Sequence, residues 1–269
     1  MNDRPRTLKL FSEQLNACLK ILTKRPSDVL LSPYCRQYLA RDRWEKSGRH
    51  LDVFDAKDQG IMPGTIAHNR RELEEHGFGS LMRTARLINP LSALDPVFGF
   101  AHTLKVLSIG PRTEMELLHL VGIGFRPENI YAVDLISSSP WIELGDMHAL
   151  PYEDGMFDVV ISSWVLNYSN DPQRAVDEML RVCRPSALVA IGVTYTPDFG
   201  AGYVDTNPGE NDIVGSMHRS ADDLARLIGD RLERVLFRQE PVDDAKRGAV
   251  MLIARIAQPA AADKGDAQR

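Results

Sequence analysis

Four short stretches of this 269-residue chain place a small or carboxylate-bearing residue directly after an apolar run. Gly110 follows Lys105–Ile109. Asp134 follows Asn129–Val133, 24 residues further on. Gly145-Asp146-Met147 follows Trp141–Leu144, and Ser162-Ser163-Trp164 closes the run that starts at Phe157. Each run reads as a short buried strand. In an open α/β sheet, ligands bind beyond the carboxyl ends of the strands, and all four features fall there. A carboxylate at the end of the second strand can accept both hydroxyls of a ribose, and a glycine in the first turn lets backbone approach a ligand closely. The combination points to a nucleoside-containing cofactor. His50, His68, His76, His102 and His119 fall at no metal-ligand spacing, so no metal site is expected.

The elements that must position these residues alternate. Thr113–Leu120 reads as a helix after the first strand, with acids in its first turn. Asp171-Pro172 opens a helix to about Cys183, and Ala187–Val193 is a fifth strand. Ser220, with Asp223 at capping-box spacing, begins another helix. Leu232–Phe237 and Ala249–Ile256 then read as two strands of a hairpin. The fold class is α/β: a Rossmann-like doubly wound sheet of seven strands, mostly parallel with the last antiparallel, and helices on both faces. The predicted core spans 104–257. The tail 258–269 reads as disordered, and the Gly/Pro/Asp-rich stretch 195–217 as a long functional loop facing the acceptor.

Residues 1–103 read differently, as a helical N-terminal extension or cap. An apolar face recurs over 7–24, Ser32-Pro33 reads as a helix start, and 66–88 reads as helical with a break at 77–79. Asn89-Pro90 and Asp95-Pro96 mark a loop. Residues 1–103 carry 16 basic and 12 acidic side chains, whereas 104–269 carry 16 and 25. The overall net charge of -5 argues against a nucleic-acid partner. No apolar run is long enough for a membrane helix, and no signal peptide is expected. Three widely spaced cysteines without a CxxC fit a reducing cytoplasm. Oligomeric state leaves no trace in the sequence.

The segment Gly145-Asp146-Met147-His148-Ala149-Leu150-Pro151-Tyr152-Glu153-Asp154-Gly155-Met156-Phe157-Asp158-Val159-Val160, followed by Trp164–Tyr168, Asp171-Pro172, Glu178–Val182 and Arg184-Pro185, resembles the class I S-adenosylmethionine-dependent methyltransferases, in particular methyltransferase type 11. The resemblance runs well over about 90 residues of 105–193 and does not reach 1–103. It implies S-adenosyl-L-methionine as cofactor. By position, Ser108, Gly110, Pro111 and Glu114 would form the first turn, with Gly110 beside the methionine moiety. Asp134, with Leu135 next to it, would bind the ribose. Asp146 and Met147 would hold the adenine, and Ser163 and Trp164 would present backbone near the methionine portion. His218 and Tyr168 are the candidate catalytic residues. Tyr168 and Tyr195 could also shape the acceptor pocket, and His148 reads as a solvated loop histidine.

The first turn departs from the family's acidic-x-Gly-x-Gly-x-Gly. It reads Ser108-Ile109-Gly110-Pro111-Arg112-Thr113-Glu114, with one glycine of three. Pro111 and Arg112 do not readily take positive φ, so the turn is expected to be wider, or the cofactor to sit differently. Glu114 or Glu116 could compensate at the cofactor's ammonium. Arg184-Pro185-Ser186-Ala187 lacks the family's two glycines, and Asn167 stands where many relatives have histidine. The leading expectation is methyl transfer to a small molecule or biosynthetic intermediate. The alternative is a non-catalytic binding or scaffold protein on the same fold. A nicotinamide-dependent oxidoreductase would need GxGxxG in the first turn, which is absent.

Overall fold

The structure is a computed structural model, and it describes residues 12–55, 64–76, 85–195, 218, 220–242 and 248–257. The loop 195–217, apart from Tyr195, and the tail 258–269 lie outside the described residues.

In chain order the elements are α1 (Ser12–Leu22), α2 (Pro33–Lys46), β1 (Asp52–Val53), α3 (Thr65–Arg71), α4 (Ala85–Ser92) and a short α5 (Val97–Phe100). The sheet region follows: β2 (Val106–Ile109), α6 (Glu114–Gly122), β3 (Ile130–Asp134), β4 (Ile136–Ser137), β5 (Glu143–Leu144), β6 (Phe157–Ser163), α7 (Pro172–Val182), β7 (Cys183–Tyr195), α8 (Ala221–Ile228), β8 (Leu232–Gln239) and β9 (Gly248–Ile256).

Among the described residues, seven strands form one sheet in the order β5-β3-β2-β6-β7-β9-β8. Pairing is parallel from β5 through β7. β9 runs antiparallel to both β7 and β8, so the last strand of the chain is the reversed one. Side chains along each strand alternate between two apolar layers. Leu107, Ile109, Val189 and Ile191 join Ala175, Met179 and Leu224 of α7 and α8 on one face. Val106, Ala132, Ile161 and Ala190 join Leu87, Leu91, Leu117 and Leu120 of α4 and α6 on the other. Burial on both faces explains why these strands read as unbroken apolar runs.

The helix ends follow the capping residues. Ser32 accepts from the Cys35 N–H, Thr113 from Met115 and Asp171 from Arg174. Ser220 and Asp223 form a reciprocal capping box.

Two expectations change. Pro90 is inside α4 rather than in a loop. It removes one N–H from the last turn, and the fully buried Leu87, Ile88 and Leu91 hold the helix on the sheet in spite of that loss. β7 begins at Cys183, earlier than Ala187, because Cys183 pairs with Phe157 before an irregular step to the Leu188–Val159 register. Ser186, at one of the family's glycine positions, takes φ +64° at that step.

The N-terminal region is built into the fold at several points. β1 pairs antiparallel with β4, Asp52 opposite Ser137. Arg36 is buried, and its guanidinium donates to the carbonyls of Leu30 and Leu31 at 2.6 and 3.0 Å. All three cysteines are free. None of the described helices is long and apolar enough to cross a membrane, and no cluster with metal-binding composition occurs among the described residues.

Candidate functional site

A cavity of about 40 Å³ opens at the carboxyl edge of the sheet. Of the residues expected to hold a cofactor, Gly110, Asp134, Leu135, Asp146 and Met147 line it. Tyr168 and Val165 add a wall from the segment after β6, and Thr65 and Asn69 of α3 add one from the N-terminal region.

The first turn reaches a tight backbone path without its usual glycines. Gly110 takes φ +69°, and its N–H donates to the Val133 carbonyl at 2.8 Å. A Cβ on Gly110 would meet Val165 Cγ1 at 1.9 Å, so only glycine fits. Arg112 also takes a left-handed conformation, φ +57°, which corrects the expectation that it would not. Its neighbours hold it there. The Arg112 N–H donates to Asp134 Oδ2 at 2.9 Å, and its guanidinium donates to Asn69 Oδ1 at 3.0 Å and pairs with Glu72 at 3.3 Å. The turn therefore keeps the glycine-type backbone and uses the arginine side chain to hold the N-terminal region.

Asp134 ends β3. Its Oδ1 accepts the Ile136 N–H at 3.3 Å. Burial raises its pKa above the usual carboxylate value, opposed by the Arg112 N–H and guanidinium and by the Ile136 and Leu135 N–H groups. Asp146 follows β5. Its Oδ1 accepts the His148 N–H at 2.9 Å and lies 2.6 Å from His148 Nδ1. His148 is 1% exposed, not solvated as expected, because both ring nitrogens find partners inside the protein.

The Asp146 loop is fastened from α7. Arg181 donates to the carbonyls of Leu150 and Tyr152, to Asp154 and to both oxygens of Glu178, while Glu178 accepts the Leu150 N–H at 2.8 Å. The Arg181 guanidinium holds the Glu178 carboxyl below its usual range.

The remaining candidates lie elsewhere. The Ser108 hydroxyl donates to Glu116 at 2.5 Å, and Glu114 pairs with Arg43 at 2.6 Å and accepts the Ser139 hydroxyl. Both glutamates thus already have partners in the protein. Glu114 lines a separate cavity of about 300 Å³ with Arg43 and Trp44. Pro111 is buried in the first turn. Trp164, at φ +61°, lays its indole across Gly192, where a Cβ would sit 3.4 Å from the ring. Ser163 is buried at the end of β6, and its hydroxyl has no hydrogen-bond partner among the described residues. His218 is buried and does not line the cavity; burial lowers its pKa, with Asp223 opposing and Arg226 adding to the shift. Tyr195 is half-buried at the end of β7.

Sequence reasoning missed His68. Its Nε2 lies 2.9 Å from the Tyr168 hydroxyl, both groups are buried, and the two residues are 100 positions apart in the chain. Only the helical reading of 66–88 could have brought His68 into consideration.

A family model described as a methyltransferase domain, type 11, matches residues 101–191. Residues 101–191 are thus similar to a methyltransferase domain. The matched segment includes the first turn, Asp134, Asp146 and Tyr168, and ends within β7. Over 172 residues, 58% of its length, the chain is 30% identical to a malonyl-[acyl-carrier protein] O-methyltransferase of Halorhodospira halophila, covering 55% of that protein. Over 56 residues, 21% of its length, it is 41% identical to a demethylmenaquinone methyltransferase of Renibacterium salmoninarum, covering 24% of that protein. The chain thus spans about half of the first relative and a quarter of the second. A Haloferax volcanii protein solved in complex with the Trm112 methyltransferase activator shares the fold, with a TM-score of 0.50 at 14% identity, covering 75% of this chain and 99% of that one.

The cavity's donor set suits S-adenosylmethionine. Asp134 offers acceptors for vicinal hydroxyls, Asp146 offers one for an amine, Gly110 gives close backbone approach, and the unpartnered Ser163 hydroxyl lies at the same sheet edge.

Proposed function

We propose that this protein is an S-adenosylmethionine-dependent methyltransferase acting on a small molecule or biosynthetic intermediate. The observation that carries the reading is the meeting of Gly110, Asp134 and Asp146 in one cavity, at the carboxyl ends of the adjacent parallel strands β2, β3 and β5. When bound, the cofactor supplies a methyl group activated on a sulfonium. The residues bind, orient and exclude water: Asp134 takes the ribose hydroxyls, Asp146 the adenine amine, and the Met147 N–H a ring nitrogen. Catalysis then consists mainly of alignment within the closed site. A nucleoside cofactor needs a pocket of at least roughly 300 Å³. Entry of the cofactor would therefore require Thr65 and Asn69 of α3, which line the cavity, to give way.

Tyr168 borders the same cavity, which supports reading it as a wall of the acceptor pocket. The acceptors named for the two relatives, a malonyl-acyl carrier protein and a demethylmenaquinone, differ from each other. The acceptor class therefore stays at a small molecule or biosynthetic intermediate with an oxygen, nitrogen or carbon nucleophile.

Calorimetric titration with S-adenosylmethionine and S-adenosylhomocysteine tests the reading. One-to-one binding is expected, weakened about tenfold or more in Asp134→Ala, which removes both ribose acceptors. No heat at millimolar cofactor overturns it and favours the non-catalytic scaffold reading.

A further inference from the structure

We infer that His148 is a positioning residue that makes the site selective for a purine with an exocyclic amine, through a chain of hydrogen bonds running from the start of α7 to Asp146. The inference rests on the reading of the cavity as a nucleoside-cofactor site.

The chain of donors has one direction. Asp146 accepts but does not donate, so the His148 nitrogen 2.6 Å from it, Nδ1, carries the proton. In a neutral ring Nε2 is the acceptor, and the Ser169 hydroxyl 2.6 Å away donates to it. The Ser169 oxygen in turn accepts the Asp171 N–H at 3.0 Å. Asp171 caps α7, and Arg174 in its first turn donates to the His148 carbonyl at 3.1 Å. Asp146, His148 and Ser169 are each 5% exposed or less, so water does not compete for these bonds.

The consequence falls on Asp146. Two donors from His148, the backbone N–H and Nδ1–H, converge on Oδ1 and fix the plane of the carboxylate. No hydrogen bond among the described residues reaches Oδ2, which is left as the group's remaining acceptor on a residue that lines the cavity. A fixed acceptor pairs with an amine and opposes a carbonyl. Adenine presents an amine at its six position, whereas hypoxanthine presents an oxygen. A carboxylate free to rotate would distinguish them less, because it could turn away from the oxygen. A histidine that only filled space would leave the preference unchanged.

The test compares S-adenosylhomocysteine with its 6-oxo counterpart, S-inosylhomocysteine, by calorimetry on the full chain. The unmodified protein is expected to prefer the amine by about 100-fold, since a site built for a donor rejects an analogue lacking it. His148→Ala should cut that ratio about tenfold, equal to the roughly 1.4 kcal/mol of one lost oriented hydrogen bond. His148→Asn, whose amide nitrogen can replace Nδ1, should keep the ratio within about threefold of the unmodified protein, the loss expected of a weaker neutral donor. Ser169→Ala should fall between the two and reports independently where His148→Ala does not fold. An unchanged amine-to-oxo ratio in folded His148→Ala or Ser169→Ala overturns the inference while leaving the cofactor reading intact. Failure of the unmodified protein to bind either compound overturns both.

Discussion

The cavity has two carboxylate-bearing walls, wired over different distances in the chain. The Asp146 wall is held by Arg181, Glu178, His148 and Ser169, all within residues 145–184 and all from the loop, α7 or the turn before it. The Asp134 wall is held from outside its own segment. Arg112 reaches Asn69 and Glu72, 43 and 40 positions away, and Tyr168 reaches His68. None of the bonds named for the first wall comes from the N-terminal region, whereas α3 and the residue after it supply partners to the second.

The largest effect is expected at Arg181, which donates more hydrogen bonds than any other side chain of the local wall. Arg181→Ala removes the donors to Leu150, Tyr152, Asp154 and Glu178 and leaves two loop carbonyls to find water. The expected loss of unfolding free energy is about 2–3 kcal/mol, typical of a broken charge-assisted network. Chemical denaturation measures it. A loss no greater than that of Arg112→Ala would show that the two walls are held alike.

The packing of α2 against α6, away from both walls, should answer to acid. His119 is buried in α6, and burial, with Arg36 of α2 adding to it, pushes its pKa down to about 3. The native state therefore keeps His119 neutral while the unfolded chain protonates near 6.5. Stability from this group is full above pH 6.5 and is lost as pH falls toward 3, by up to roughly 1.4 kcal/mol per pH unit. Thermal melts from pH 7 to 5 should show a decline of about 2 kcal/mol that His119→Gln flattens. A slope that survives the substitution would move the acid sensitivity to another group.

Legibility in the sequence follows the same division. The strands could be read because each is buried on both faces, and the Asp146 loop because its supporting residues come in one contiguous segment. α7 and α8 announced themselves through Asp171-Pro172 and the Ser220–Asp223 box. The rest depended on contacts distant in sequence. Nothing local to His68 says that it meets Tyr168, and nothing in the order Gly110-Pro111-Arg112 says that Asn69, Glu72 and Asp134 will hold an arginine in a left-handed conformation. His148 read as solvated because its partners, one of them 21 positions away, could not be seen from its loop. Pro90 read as a loop marker because the packing that holds it in α4 is tertiary.

The smallest effect is expected at Arg112, and it tests whether the remote wall is held at one point or at several. Arg112→Gly relieves a left-handed conformation that costs a non-glycine residue about 1–2 kcal/mol. It also adds unfolded-state freedom of roughly 0.5–1 kcal/mol and removes the bonds to Asn69 and Glu72, each worth about 0.5–1.5 kcal/mol. These terms oppose one another. The backbone N–H to Asp134 survives, since it does not depend on the side chain. Stability should therefore fall by only about 1 kcal/mol, roughly 2–4 °C in Tm for a chain of this size. Cofactor affinity should stay within about threefold, because the Asp134 acceptors remain oriented. A loss above about 2 kcal/mol would mean that this one guanidinium holds α3 in place. The β1–β4 pairing and the His68–Tyr168 bond would then follow from its docking rather than share in it.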